Sequence, residues 1–281
     1  MRTPRNATTI AILIAIALSL TSVSGANAQG TISLFLPMSL RNHGAPTGRI
    51  AFASDRSGNH EIYVMHADGT GVQQLTNHPG QDALPAWSPD GQRIAFMSDR
   101  DGNQDIYVMD ADGANVINLT KGSFPHNNWS PAWSPDGTAI AFTSWRGSDA
   151  GIDIYVMIAD GSNQLRLTTD PGVDASPTWS PDGTRIAFRC DSDAGGSNIC
   201  VIAPDGTGRA YLTTSGHDDS PAWSPDGRQI AFESDRDGNL EIYSMDADGA
   251  NVRRLTNESR SDRAPSWSPD GRFITFLSYR D

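Results

Sequence analysis

Residues Trp87-Ser88-Pro89-Asp90-Gly91-Gln92-Arg93-Ile94-Ala95-Phe96-Met97-Ser98-Asp99-Arg100-Asp101-Gly102-Asn103-Gln104-Asp105-Ile106-Tyr107-Val108-Met109-Asp110-Ala111-Asp112-Gly113 decide the fold. Ser-Pro-Asp-Gly puts a turn-opening Ser first, Pro where φ near −65° is wanted, and Gly where a left-handed residue closes a hairpin. Two apolar runs follow, Ile94-Ala95-Phe96 and Ile106-Tyr107-Val108-Met109, divided by Ser-Asp-Arg-Asp-Gly-Asn. The pattern then recurs along the chain. Trp-Ser-Pro-Asp-Gly returns at Trp133, Trp179, Trp223 and Trp267, with spacings of 46, 46, 44 and 44 residues. An Ile-(Ala/Thr)-Phe triplet starts at Ile50, Ile94, Ile140, Ile186, Ile230 and Ile274. An Ile-(Tyr/Cys) pair starts at Ile62, Ile106, Ile154, Ile199 and Ile242, and a Leu-Thr pair at Leu75, Leu119, Leu167, Leu212 and Leu255. Four strands of ~6 residues and four loops of ~5 fill such a period.

Continuous apolar runs mean that both faces of each strand are buried, which a lone four-stranded meander cannot achieve. Arranging the meanders around an axis does achieve it, so the expected fold is an all-β propeller of four-stranded antiparallel blades. Naming the strands A (Trp), B (Ile-Ala-Phe), C (Ile-Tyr) and D (Leu-Thr), six blades are expected, with five as the alternative. In the six-bladed reading Met38 to His43 is a degenerate first A strand, and Thr31 to Leu36 pairs with the C-terminal A and B strands. The chain stops at Asp281, where the repeat would continue into strand C, so an open frame is a further alternative.

Composition limits the function. Gly 27 and Pro 17 in 281 residues suit a turn-rich globular protein. A net charge of −12 excludes nucleic acid and anionic membrane surfaces as expected partners, since both demand a basic footprint. Arg2 and Arg5 precede an apolar run from Ile10 to Leu20, and Ala26-Asn27-Ala28 has the form that signal peptidase accepts. Residues 1–28 therefore read as a signal peptide, 29–47 as an N-terminal segment able to supply closing strands, and 48–281 as the propeller. The protein is expected to be exported to the periplasm or the cell exterior without membrane insertion. Its oligomeric state is not legible.

In up-and-down blades the B-to-C and D-to-A loops share one face, and the A-to-B and C-to-D turns share the other. The second face is occupied by repeated turn sequences, so function is expected on the first, where the loops differ from blade to blade. Loop Lys121 to Ser130 is long and carries Phe124 and Trp129, and Trp145-Arg146 replaces Asp-Arg in the following loop. Phe124, Trp129, Trp145 and Arg146 are thus candidates for partner binding, with rings folded down onto the blade tops as the competing reading. Asp82, Asn128, Asp174, Asp218 and Asp262 each lie three residues before the Pro of strand A. Placed around the channel mouth, this acidic ring would suit Ca²⁺; alternatively each side chain caps its own loop. No other cofactor is expected. Cys190 and Cys200, the only cysteines, fall on one hairpin and are expected to form a disulfide. The six histidines show no metal spacing, and no Gly-x-Ser-x-Gly elbow is present.

The Trp-Ser-Pro-Asp-Gly, Ile-Ala-Phe, Ser-Asp-Arg-Asp-Gly-Asn, Ile-Tyr-Val-Met-Asp-Ala-Asp-Gly and Leu-Thr series resembles the repeat of the TolB-type (WD-like) propellers, which also occurs in propeller lids of prolyl oligopeptidases. The resemblance covers roughly residues 48 to 281, the propeller part only, without the α/β domain that precedes it in TolB. It implies a non-catalytic module that binds a protein or peptide partner of the cell envelope through the B–C/D–A face. Two alternatives stay open. One is a carbohydrate-binding or carbohydrate-cleaving propeller using Phe124, Trp129 and Trp145 with carboxylates such as Asp174 and Asp218; the other is a peptidase-lid-type propeller without its enzyme.

Overall fold

Each repeat folds as an antiparallel meander because its apolar triplets are separated by turn sequences that reverse the chain every few residues. The computed structural model describes residues 11–12, 39–41, 48–122, 126–146, 151–191 and 195–279. After β1 (Ala11–Ile12), blade I contains β2 (Ser39–Arg41), β3 (Arg49–Ser54), β4 (Glu61–His66) and β5 (Gln73–Gln74). Blade II contains β6 (Asp82–Trp87), β7 (Arg93–Ser98), β8 (Asp105–Asp110) and β9 (Ile117–Asn118). Blade III contains β10 (Asn127–Trp133), β11 (Ala139–Trp145), β12 (Asp153–Ile158) and β13 (Leu165–Arg166). Blade IV contains β14 (Asp174–Trp179), β15 (Ile186–Asp191), β16 (Ser197–Ile202) and β17 (Ala210–Tyr211). Blade V contains β18 (Asp218–Trp223), β19 (Gln229–Ser234), β20 (Glu241–Asp246) and β21 (Arg253–Arg254). The hairpin of β22 (Asp262–Trp267) and β23 (Phe273–Ser278) occupies the sixth place.

The described residues therefore form five four-stranded blades, not the six of the main expectation. The sixth sheet has three strands. Its third strand among the described residues is β1, which pairs parallel to β23 at Phe273 and Ile274. Residues 31–36 lie outside the described residues. The A strands β2, β6, β10, β14, β18 and β22 contact one another in turn, and β22 touches β2, which closes the ring. No helix among the described residues is long and apolar enough to cross a membrane.

The core lies between sheets. Ile94, Phe96, Tyr107 and Met109 of blade II pack on Ala51, Ala53, Ile62 and Val64 of blade I. The same Ile-Phe-Tyr-Met face of blade III meets Ala95, Ile106 and Val108 of blade II, and that of blade V meets Ala187, Ile199 and Val201 of blade IV. Large residues thus face small and β-branched ones at each junction, which lets adjacent sheets interdigitate. Tryptophan ties the junctions near the axis. Trp133 Nε1 donates to the Ala86 carbonyl at 3.2 Å, Trp179 to Ala132 at 3.1 Å and Trp267 to Ala222 at 3.1 Å.

The turns explain the repeated Ser-Pro-Asp-Gly. Ser88 Oγ donates to Asp90 Oδ1 at 2.6 Å and accepts from Arg93 N at 2.9 Å, while Gly91 closes the turn at φ 71°. On the C-to-D turns the glycine has a second reason. A Cβ on Gly161, at φ +90°, would stand 2.7 Å from the Leu119 carbonyl of the preceding blade, whereas Gly69 in blade I, at φ +83°, has open space there.

Gly69→Ala should cost only the left-handed backbone penalty of about 1–2 kcal/mol, and Gly161→Ala that penalty plus the clash. Urea unfolding of the two variants should show Gly161→Ala to be the less stable by at least ~1 kcal/mol; equal midpoints would remove the inter-blade role of this turn.

Candidate functional site

Strand A begins at the face carrying the B–C and D–A loops, so its first residue fixes what that face can offer. Asp82, Asn128, Asp174, Asp218 and Asp262 all occupy this place and all are buried. Protein groups engage oxygens of four of them. Arg100 Nη2 reaches Asp82 Oδ1 at 3.0 Å and Oδ2 at 2.8 Å, and Arg236 Nη2 lies 2.9 Å from both oxygens of Asp218. Asn128 accepts from Ser144 Oγ at 2.7 Å and donates to Asp105 at 3.1 Å. Asp174 accepts from Arg209 Nη2 at 3.2 Å. Guanidinium groups and hydroxyls thus stand where the Ca²⁺ reading put a cation, and no cluster of three metal-ligating side chains occurs among the described residues.

Arg100 also lies over the rings of Phe96 and Tyr107, at 5.5 and 4.9 Å, and its Nε donates to Ser98 Oγ at 2.9 Å. Arg56 and Arg236 repeat this arrangement in blades I and V. Arg146, expected at the binding surface, belongs to the same series. It stacks on Phe142 and Tyr155, at 5.7 and 4.3 Å, and its Nε donates to Ser144.

Blade IV departs at all three positions of this network. Cys190 stands in place of the Ser, Cys200 in place of the Tyr, and Ser192 in place of the Arg. Cys190 and Cys200 are disulfide-bonded, with Cα atoms 5.9 Å apart. Deprived of the loop arginine, Asp174 pairs with Arg209, which precedes strand D, and its Oδ2 is buried without a hydrogen bond. Burial pushes the Asp174 carboxyl up to about 6, against the opposing pull of Arg209.

The two tryptophans singled out from the sequence come together. In the β10–β11 ladder Asn127 pairs with Trp145 and Trp129 with Thr143, so Trp129 and Trp145 are diagonal neighbours on one sheet face. Both line a groove of about 580 Å³ with Gln104, Asn127, Ile152 and Val173, spanning loops of blades II and III and the connection into blade IV. Phe124 lies outside the described residues. The far wall is main chain pressed on main chain: Ile152 pairs with Val173, Ile152 N donates to Gly172 O at 3.1 Å, and Asp174 N to Ile152 O at 2.7 Å. A Cβ on Gly151 would stand 2.1 Å from Gly172 O, so only glycine fits. Sequence reasoning did not single out Gln104, Ile152 or Val173 for this site. They arrive from neighbouring loops, and the template offers no mark of their convergence.

Because the folded Asp174 binds its proton more tightly than an ordinary carboxyl near 3.8, its contribution to stability is fullest below the unfolded value and declines as pH rises from about 4 to about 6. Urea titrations across that range should show a shallower decline in Asp174→Asn than in the parent; identical slopes would contradict this account of its burial.

The comparisons with known proteins agree with the geometry. A TolB crystal structure from Acinetobacter baumannii superposes with a TM-score of 0.71 and 26% identity, covering 81% of this chain and 57% of that one. The putative TolB from Agrobacterium tumefaciens gives a TM-score of 0.71 and 26% identity, covering 83% and 87%. The Tol-Pal system protein TolB of Geobacter sulfurreducens is 50% identical over 46 residues, 16% of this chain and 11% of the relative. The chain thus spans about a tenth of the length of the curated relatives it matches. An oligogalacturonate lyase in complex with manganese, at 18% identity and a TM-score of 0.60, shares the fold alone. The TolB beta propeller domain matches residues 42–123, 120–219 and 206–281, nearly all of the repeat region, and the chain belongs to that family.

Proposed function

We propose that this chain is an exported, non-catalytic binding module that engages a protein or peptide partner of the cell envelope or the exterior through its B–C/D–A loop face. The observation that carries the reading is the groove of Trp129 and Trp145 on that face. Elsewhere on the face the arginines and strand-A carboxylates are tied to one another, but here blade III presents two large rings in an open concavity. Tryptophan is the residue type most enriched at binding hot spots, because it supplies rigid apolar area at little entropic cost.

Family membership supports the choice of a protein partner, since the relative from Geobacter sulfurreducens is named as a component of a Tol-Pal system. No ionisable side chain lines the groove among the described residues, so it offers shape and hydrogen bonds and no acid/base pair. The leader-like Ile10 to Leu20 run and Ala26-Asn27-Ala28 support export; cleavage after residue 28 would remove β1 and leave β22 and β23 as a two-stranded sheet.

A photo-crosslinking residue at Gln104, incubated with envelope extract of the producing cell, should form a discrete covalent adduct, and one at Asp136 on the opposite face should not. Trp129→Ala with Trp145→Ala should reduce the adduct at least tenfold in a protein of unchanged melting temperature. Equal adducts from both positions would refute the face assignment.

A further inference from the structure

Hydrogen-bonding capacity in the groove is lopsided. Among the described residues, the indole N–H groups of Trp129 and Trp145 meet no hydrogen-bond acceptor, and the side-chain amide of Gln104 makes no hydrogen bond. Asn127 has its carbonyl oxygen occupied by Gln104 N at 3.2 Å, which leaves its NH₂ free. The groove therefore presents four donor groups and one wholly unengaged side-chain acceptor, Gln104 Oε1. Around them lie the Trp rings, Ile152 and Val173, with no charged side chain among the described residues.

Such a surface selects against most ligands. A sugar brings a donor with every hydroxyl, and an ordinary peptide brings an N–H at every residue; each donor buried without an acceptor weakens binding. Anions and cations find no counter-charge. One common ligand class has carbonyl acceptors and no backbone donors, and flat apolar rings that stack on indole: a run of prolines in the polyproline II conformation. Its extended form has no internal hydrogen bonds to break and little conformational entropy to lose.

We propose that the Trp129–Trp145 groove is a receptor for an uncharged proline-rich segment of the partner, with proline rings against the two indoles and carbonyls accepting from Trp129 Nε1, Trp145 Nε1 and the amides of Asn127 and Gln104. This inference rests on the loop-face reading above and names the chemistry of its ligand. Main-chain hydrogen bonds join Ile152 to Gly172 and Asp174 along one wall, and a stiff ligand loses less conformational entropy on binding there than a flexible one.

Calorimetric titration of the full chain with capped decaproline, a capped ten-residue Gly-Ser peptide and cellohexaose tests it. Decaproline alone should bind saturably. Trp145→Ala should weaken it at least tenfold, and Trp145→Phe, which keeps a ring and loses the N–H, by about two- to tenfold. Gln104→Ala should weaken it by a smaller factor. Should Trp145→Ala fail to fold, the Phe and Gln104 variants decide. No saturable binding of decaproline, equal affinity in the Trp145 variants, or tighter binding of cellohexaose or of the Gly-Ser peptide would overturn the proposal. If decaproline fails while the Gln104 adduct persists, the ligand class falls and the loop face stands; loss of both removes both.

Discussion

Every sheet of this ring is apolar on both faces, and the rest of the structure follows from that constraint. Phe52, Phe96, Phe142, Phe188, Phe232 and Phe276 are fully buried or nearly so, and each would forfeit about 1.5–3 kcal/mol if its blade stood alone in water. A blade is stable only with a neighbour on either side. Closure around an axis gives every blade two, and the contact between β22 and β2 supplies the last junction. Since the packing consumes the sheet faces, only the rims are left for recognition.

The loop-face rim is held rigid by a second repeated device. A buried carboxylate at the start of strand A would be costly alone, and the arginine from the B–C loop neutralises it while lying on the Phe and Tyr rings of strands B and C. This ties the D–A connection to the B–C loop of the same blade. Blade IV shows what the device is for, because losing it demanded substitutes. The Cys190–Cys200 disulfide now links strands B and C, and Arg209 reaches over Phe188 to Asp174. The covalent link replaces the stacking, and burial, opposed by Arg209, holds the Asp174 proton up to about 6.

Strand identity was legible because Trp-Ser-Pro-Asp-Gly and Ile-Ala-Phe repeat at nearly constant spacing. The number of blades was not, since repeat counting does not say which distant segment adds to an unfinished sheet; here Ala11–Ile12, within the stretch read as a leader, adds a third strand in parallel. The partners of the acidic ring were legible in the sequence. Asp82 and Arg100 are 18 residues apart, and so are Asp218 and Arg236. A recurring acid and base at fixed separation within a hairpin is the mark of a scaffold pair. The tryptophans of blade III stood out as departures from the template. Their companions did not: Gln104 and Val173 belong to adjacent units, and only the radial packing of blades brings them beside Trp145.

That same packing shapes the groove on blade III. Met97 and Ala83 of blade II fill space next to the axis and give Trp129 an apolar flank to rest against. On the other side Val173 is fixed to Asp191 by two main-chain-centred bonds, Val173 N to Asp191 Oδ2 at 3.2 Å and Asp191 N to Val173 O at 3.0 Å. Further round, the equivalent positions become Arg189, Asp219, Glu233 and Arg263, which satisfy one another: Arg263 lies 3.2 Å from Glu233, and Ala264 N donates to Glu233 at 2.6 Å. One arc of the rim is thus internally neutralised, and the other is apolar with unspent donors. The proposed groove lies on the second arc, where exposed donors remain available to a ligand.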